Sequence, residues 1–406
     1  MRATVLLAAL AAILHARNLT PAWVELGPGG MSLARVVVET GDSCPALSAD
    51  GARIPMQRRE PVPEGFQPAC EAVLPRNGNK VKLGAQKLRR PVYPSSVVVF
   101  GDTGCRVSAT EQQACNDPAA WPLRRNAHRI SQSKPDLIIH VGDYLYREST
   151  CPDPKEGCAG PHGDNWAAWN ADFFEPAAEA LAAAPWVFTR GNHESCQRSW
   201  RGWFYYLDPR PFAGQCGQGE NLTDEWIAAS GALRIGVLDS SRILNTDTEA
   251  AGYVPQFAAQ LGRLSGRVDW VAVHHPVSAY WPAANGPGSG TKPLWAAWEH
   301  AKPAGVRLVV SGHTHLFEFL AFGDSHTSQL VAGTGGTNLE AGRLGSKFAG
   351  QEVNGVTVTG GGSLREFGYT RLRRLNGQWS LDLIDLNGAP AFSCVLAPAD
   401  GAQCRN

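Results

Sequence analysis

Leu137-Ile138-Ile139-His140-Val141-Gly142-Asp143-Tyr144-Leu145-Tyr146 is the stretch on which the reading of this chain turns. A short, nearly unbroken apolar run of this kind suits a strand buried on both faces, as in a parallel sheet covered by helices. Gly142 then lets the backbone turn sharply. The Asp143 carboxylate arrives directly past the strand's carboxyl end.

The same grammar recurs outward from this stretch. Upstream, Val97 to Phe100 runs into Gly101-Asp102-Thr103-Gly104. Downstream, Trp186 to Thr189 runs into Arg190-Gly191-Asn192-His193-Glu194. Val268 to Val273 runs into His274-His275-Pro276, and Val306 to Val310 into Ser311-Gly312-His313-Thr314-His315. Leu233 to Leu238 and Gln329 to Val331 are further apolar runs without such an ending. Helix candidates lie between them: Asn126 to Ser133, Trp166 to Ala184 and Pro293 to Ala301. Strands alternating with helices predict an α/β layered domain. Ligand sites of such sheets gather at the carboxyl ends of the strands.

Carboxylates, imidazoles and an amide oxygen are ligands for iron, manganese or zinc. They are too many for one four-coordinate ion. Two ions about 3.5–4 Å apart, bridged by a carboxylate, would use them all. Each motif alone has a bland reading. Gly-Asp is a common turn, Asn192 could cap a helix, and a lone histidine is more often packed than bound to metal. The ordered set of five, each after an apolar run, carries the argument.

That order (Gly-Asp-x-Gly, Gly-Asp-x-x-Tyr, Gly-Asn-His-Glu, Val-x-x-His, Gly-His-x-His) resembles the calcineurin-like metallophosphoesterase superfamily. The tyrosine of the second motif is similar to the purple acid phosphatase branch. The resemblance covers roughly residues 96 to 335. It implies a four-layer αββα sandwich and two metal ions, Fe(III) plus a divalent zinc, iron or manganese. It implies that Asp102, Tyr146 and His315 hold the first ion, that Asn192, His274 and His313 hold the second, and that Asp143 bridges them. His193 would then hydrogen-bond the phosphate or protonate the leaving oxygen, and a metal-bound hydroxide would attack. Tyr144, His140 and His275 lie close enough in sequence to compete. The Gly-Asp-x-x-Tyr spacing favours Tyr146, and the His-x-Pro pattern favours His274.

The implied activity is hydrolysis of phosphate monoesters, with a small phosphorylated substrate as partner. A phosphodiesterase or nucleotide phosphohydrolase would use the same residues. A non-catalytic binding scaffold would be expected to lack a ligand, and none is lacking. A metallo-β-lactamase-type site needs His-x-His-x-Asp-His, whereas His315 is followed by Leu316 and Phe317.

The rest of the chain frames this domain. Its 406 residues are 43% hydrophobic, enough for a sizeable core, and exceed the usual single-core size. Lys plus Arg equals Asp plus Glu at 37 each, so no basic excess points to a nucleic-acid partner. Residues 1–16 read as a signal peptide, with Arg2 ahead of an apolar run too short to span a bilayer. No later segment reads as a membrane anchor. The ten cysteines predict disulfides, drawn as five pairs of sequence neighbours, and with the leader they predict a secreted or periplasmic protein. Residues 17–93 read as a small β-rich N-terminal domain with a turn at Asn77-Gly78-Asn79. Residues 94–390 read as the catalytic domain and 391–406 as a C-terminal tail. Tyr280 and Trp281 read either as core or, with the loop Asn285 to Gly290, as a wall of the substrate cleft. Oligomeric state is left open.

Overall fold

The computed structural model describes residues 18–76, 80–216, 222–243, 251–280, 288–342, 344–345, 347–397 and 401–405. The leader, the Asn77-Gly78-Asn79 turn, Trp281 and residues 285–287 of the expected cleft loop lie outside the described residues.

Two sheets stack face to face, and alternation along their strands decides which side chain enters which layer. In Ser96–Phe100, Val97 and Val99 point between the sheets, while Val98 and Phe100 point outward. Leu137 and Ile139 of Leu137–His140 follow the first pattern, and Ile138 the second. The facing sheet answers with Ile235, Val237, Trp270, Ala272, Leu308 and Val310 in the shared core. Its outer face, Val271, Val273 and Val309, is covered by the helices Val254–Leu264 and Lys292–Ala301. The outer face of the first sheet is covered by the helix Leu123–Ser133 and an aromatic cluster including Trp169, Phe173, Trp186 and Tyr205. The architecture is therefore the expected αββα sandwich.

The strands that carry the motifs run parallel. Ser96–Phe100, Leu137–His140 and Pro185–Phe188 are neighbours in one sheet. Leu233–Leu238, Trp270–Val273, Leu308–Ser311 and Ser328–Ala332 are neighbours in the other. All deliver their loops to the same end of the sandwich.

Three local readings are corrected. The helix expected over Trp166 to Ala184 is broken into Trp166–Trp169, a π-helical turn Asn170–Phe174 and Ala178–Leu181. Pro176, which has no N–H to donate, sits at the second break. The region before residue 93 is β-rich, but its strands do not all stand apart. Trp23–Leu26 pairs in parallel with Pro185–Phe188, and Ser32–Val37, Ala69–Val73 and Gln57–Arg58 extend the same sheet. The remaining strands form a separate four-stranded sheet over them. The C-terminal segment is not a loose tail: Pro390–Ala397 and Gly401–Arg405 form the antiparallel edge of the eleven-stranded sheet. The pairing of Trp23–Leu26 with Pro185–Phe188, about 160 residues away, leaves no local mark on hydrophobic periodicity.

A buried charge cluster fixes the N-terminal strands. Arg35 lies 2.8 Å from Glu25 and 2.6 Å from Glu71, and it donates to the carbonyl of Tyr206 at 2.6 Å. The disulfides are Cys44–Cys70, Cys105–Cys115, Cys151–Cys158, Cys196–Cys216 and Cys394–Cys404, the five neighbour pairs expected. No helix among the described residues is long and apolar enough to cross a membrane.

Candidate metal centre

Five strand-end loops converge, and their backbones are bent to do so. Asp102, Asp143 and His313 all have left-handed φ angles, +56°, +61° and +71°, a costly conformation for residues with side chains. Two glycines permit the close approach. A Cβ at Gly191 would stand 2.0 Å from Asp143 Oδ1, and one at Gly312 would stand 2.2 Å from Asp102 Oδ2.

The carboxylates are aimed by the neighbouring loops. The His193 N–H donates to Asp143 Oδ1 at 2.9 Å, and the His313 N–H donates to Asp102 Oδ1 at 3.0 Å. Glu194, fully buried, accepts the N–H groups of Asp143, Tyr144, Leu145 and Gly191 at 2.8–3.2 Å, locking two motif loops together. Asp172 does the same for the first two loops, accepting from Cys105, Tyr146 and Arg147. Glu194 was visible in its motif without a role. Asp172, distant in sequence from the residues it fixes, carried no signal.

The candidate ligand atoms divide into two sets. In the first, the Tyr146 hydroxyl lies 2.9 Å from His315 Nε2 and 3.3 Å from Asp102 Oδ1. In the second, Asn192 Oδ1 lies 2.9 Å from His274 Nε2 and 3.1 Å from His313 Nδ1. Asp143 Oδ2 stands between them, 2.8 Å from the Tyr146 hydroxyl and 3.2 Å from His274 Nε2. All seven residues named from the sequence as ligands are thus brought together.

The competitors separate cleanly. Tyr144 donates its hydroxyl proton to the Thr189 carbonyl at 3.0 Å, inside the aromatic core. His140 stacks on Tyr144 at 3.9 Å between ring centroids and is 3.0 Å from the Thr103 hydroxyl. His275 lies behind the cluster, its ring 4.1 Å from that of His313 and its Nδ1 2.9 Å from the Ser240 hydroxyl. One nitrogen each from His274, His275 and His313 nevertheless fit within 4.8 Å of one another. Tyr280 is core and not a cleft wall: it is buried against Phe348, Leu320 and Phe322.

The donor chemistry fits a cation. His274 Nδ1 lies 2.8 Å from the Val141 carbonyl, so it carries the proton and leaves Nε2 as a lone pair. That lone pair faces two oxygen acceptors, Asn192 Oδ1 and Asp143 Oδ2. His315 repeats the arrangement, with Nδ1 3.0 Å from the Asn338 carbonyl and Nε2 facing Tyr146 and Asp102. Converging lone pairs repel unless a positive charge sits among them. A proton can stand in for it: burial pulls the His274 pKa down, but the Asp143 carboxylate outweighs burial and holds it at about 9. Burial, reinforced by Asp143 and Asp102, pushes the Tyr146 phenol well above its usual range, so its ionisation also calls for a cation.

Beside the candidate ligands, His193 is joined by Arg106 and Glu148, which the sequence did not single out. His193 Nδ1 lies 2.9 Å from Glu148 Oε1, and its Nε2 lies 3.2 Å from Arg106 and 4.0 Å from Asp143 Oδ2. Arg106 pairs with Glu111 at 3.2 Å, and its guanidinium sits 4.8 Å over the Tyr146 ring. Arg106 and Glu148 follow motif residues by four and two positions, the only sequence cue they gave.

The fold is similar to that of purple acid phosphatase PPD1 isolated from yellow lupin (Lupinus luteus) seeds. The TM-score is 0.56 at 13% identity, covering 92% of this chain and 73% of that one. A structure of PhoD is similar with a TM-score of 0.57 at 11% identity, covering 95% of this chain and 91% of that one. At these identities the likeness is one of fold. No curated protein matches the chain in sequence. A family profile described as calcineurin-like phosphoesterase matches residues 95–317 of the 406, a span that opens at the first apolar run and takes in every motif of the site. With more than half its length matched, the chain belongs to the calcineurin-like phosphoesterase family, whose members are metal-dependent hydrolases with a dinuclear centre.

Proposed function

We propose that this chain is an exported phosphomonoesterase working with two metal ions held on either side of Asp143. The observation that supports it most directly is the division of ligand atoms around that carboxylate, 2.8 Å from Tyr146 on one side and 3.2 Å from His274 on the other. Asp102, Tyr146 and His315 would hold one ion, and Asn192, His274 and His313 the other. A phenolate oxygen suits Fe(III), and the imidazole–amide set suits a divalent zinc, iron or manganese. When bound, the ions supply positive charge to the phosphoryl oxygens and acidify the attacking water.

The chain's own groups do the rest. Asp143, fixed by the His193 N–H, keeps the two halves of the site in register. His193 presents Nε2 beside Asp143, 4.0 Å from Oδ2, where it can give a proton to the departing alkoxide oxygen. Glu148 holds the proton on Nδ1, so the ring keeps this orientation. Export is supported by the pairing of all ten cysteines, since disulfides persist in oxidising compartments such as the periplasm or the extracellular space.

The test is hydrolysis of an aryl phosphate monoester and an aryl phosphate diester by the full chain loaded with iron and zinc or manganese, beside Asp143→Asn. The expected result is a faster monoester rate and an inactive variant with reduced metal content. A dominant diester rate would overturn the monoester reading. No hydrolysis of either ester would overturn the enzyme reading.

A further inference from the structure

Arg106 is paired through Nε with Glu111 at 3.2 Å. It flanks the site proposed for two metal ions, which would repel it. Its side chain is 22% exposed, so solvent could take it with a small movement. It is instead held in place from behind. The Arg106 N–H donates to the Gln113 side chain at 3.0 Å, and its carbonyl accepts the Gln113 N–H at 2.7 Å. Gln113 in turn donates from its amide to the carbonyls of Ala120 at 2.7 Å and Gly336 at 2.9 Å. The preceding residue is pinned twice, by the Cys105–Cys115 disulfide and by its N–H donating to Asp172 at 3.0 Å. Glu111, inside the same disulfide loop, takes Nε, and its other oxygen accepts from Asn338 at 3.0 Å. The carbonyl of Asn338 faces His315 Nδ1.

The head group is thus aimed at the centre. Nη1 lies 3.2 Å from His193 Nε2, the guanidinium lies 4.8 Å over the Tyr146 ring, and Nη2 has no partner among the described residues. Arg106 and His193 lie side by side next to the Asp143 carboxylate, with His193 Nε2 4.0 Å from Oδ2. A group that is both anionic and oxygen-rich would offset the repulsion from the metals and use the spare donor. A fixed guanidinium fork matches phosphate oxygens in this way.

We propose that Arg106 binds the phosphoryl group of the substrate directly and sets a preference for a terminal phosphate. This rests on the proposed dinuclear phosphoesterase reading. A monoester presents three unsubstituted oxygens. If the metals take two, the third is left for Arg106. A diester carries an alkoxy or aryloxy group in place of one of those oxygens, with less charge and more bulk. Arg106 is therefore a substrate-binding residue that discriminates by charge and shape. The disulfide loop around it supplies preorganisation.

The test uses the full chain with Arg106→Ala and Arg106→Lys. It measures inorganic phosphate binding by calorimetry, metal content by emission spectroscopy, and kcat/KM on both aryl esters. Metal content is expected to match wild type. Phosphate affinity should fall about 10- to 100-fold in Arg106→Ala, the range for losing a charge-assisted hydrogen bond. The monoester-to-diester ratio of kcat/KM should fall by a similar factor, with Arg106→Lys between the two. Unchanged phosphate affinity and an unchanged ratio would overturn the assignment of Arg106 and leave the proposed function standing. If wild type hydrolysed neither ester, the proposed function would fall, and the phosphate titration would still decide Arg106. A wild type that bound no phosphate would overturn both.

Discussion

The carboxylate of Glu148 stands 2.9 Å from Nδ1 of His193, on the face of the imidazole turned away from Asp143. Glu148 is in turn 3.5 Å from Arg198, so the carboxylate is held on its outer side. Burial lowers the His193 pKa, and Asp143 and Glu148 raise it again in part. If His193 gives up a proton during hydrolysis, Glu148 sustains the protonated form. Glu148→Gln is expected to lower kcat about 10-fold with little change in KM. The sign on pH follows: removing a carboxylate lowers the His193 pKa, so the basic limb of the kcat–pH profile should move to lower pH. A profile of unchanged shape would leave Glu148 a purely structural residue.

Tyr146 tests which metal sits where. Iron bound to phenolate should give a visible charge-transfer absorption. Tyr146→Phe is expected to abolish that band and to reduce iron content, while far-ultraviolet circular dichroism stays native. A coloured Phe variant would remove Tyr146 from the ligand set.

Gly191 is a steric test of the bridge. Its φ of −93° suits alanine, so backbone strain is not at issue. The added Cβ would overlap Asp143 Oδ1 at 2.0 Å and the Asp143 backbone nitrogen at 2.3 Å. Gly191→Ala should therefore displace the bridging carboxylate, reducing bound metal below two per chain and activity at least 100-fold, in a chain that still folds. Full metal occupancy in that variant would show that Asp143 does not bridge.

Glu318 should govern stability at alkaline pH. It is buried on the strand Phe317–Ala321, where it accepts the Tyr280 N–H at 3.1 Å, and burial pushes its pKa up to about 8. An unfolded glutamate titrates near 4.5. The folded chain thus binds this proton more tightly than the unfolded one. Its contribution is full below about 4.5, declines as pH rises, and is gone above about 8. Glu318→Gln keeps the acceptor for Tyr280 and cannot ionise. It should be more stable than wild type at pH 9, on the order of a few kcal/mol, and similar at pH 5. Urea denaturation at both pH values measures this, and parallel curves would contradict it.

The sequence by itself determined the αββα class and named the residues that gather at the candidate site, because both are written in local chemistry. An apolar run such as Leu137 to Val141 must be buried on both faces, and Asp143 two residues later must emerge at its carboxyl end. The disulfide pairs were legible for the same reason, each closing a loop between neighbours. Tertiary structure decided what depends on distant partners. Trp23–Leu26 joins the sheet that carries the motif loops through Pro185–Phe188, about 160 residues away, whereas the C-terminal strands Pro390–Ala397 and Gly401–Arg405 extend its edge by hairpin pairing onto Gln378–Asp385. Tyr280 went to the core because Phe348 packs against it from far along the chain. Arg106, Glu148 and Asp172 sit on surface-like or helical stretches with no periodic signature. Their roles come from the groups that the fold places within hydrogen-bonding reach, a property of three-dimensional proximity that spacing along the chain does not encode.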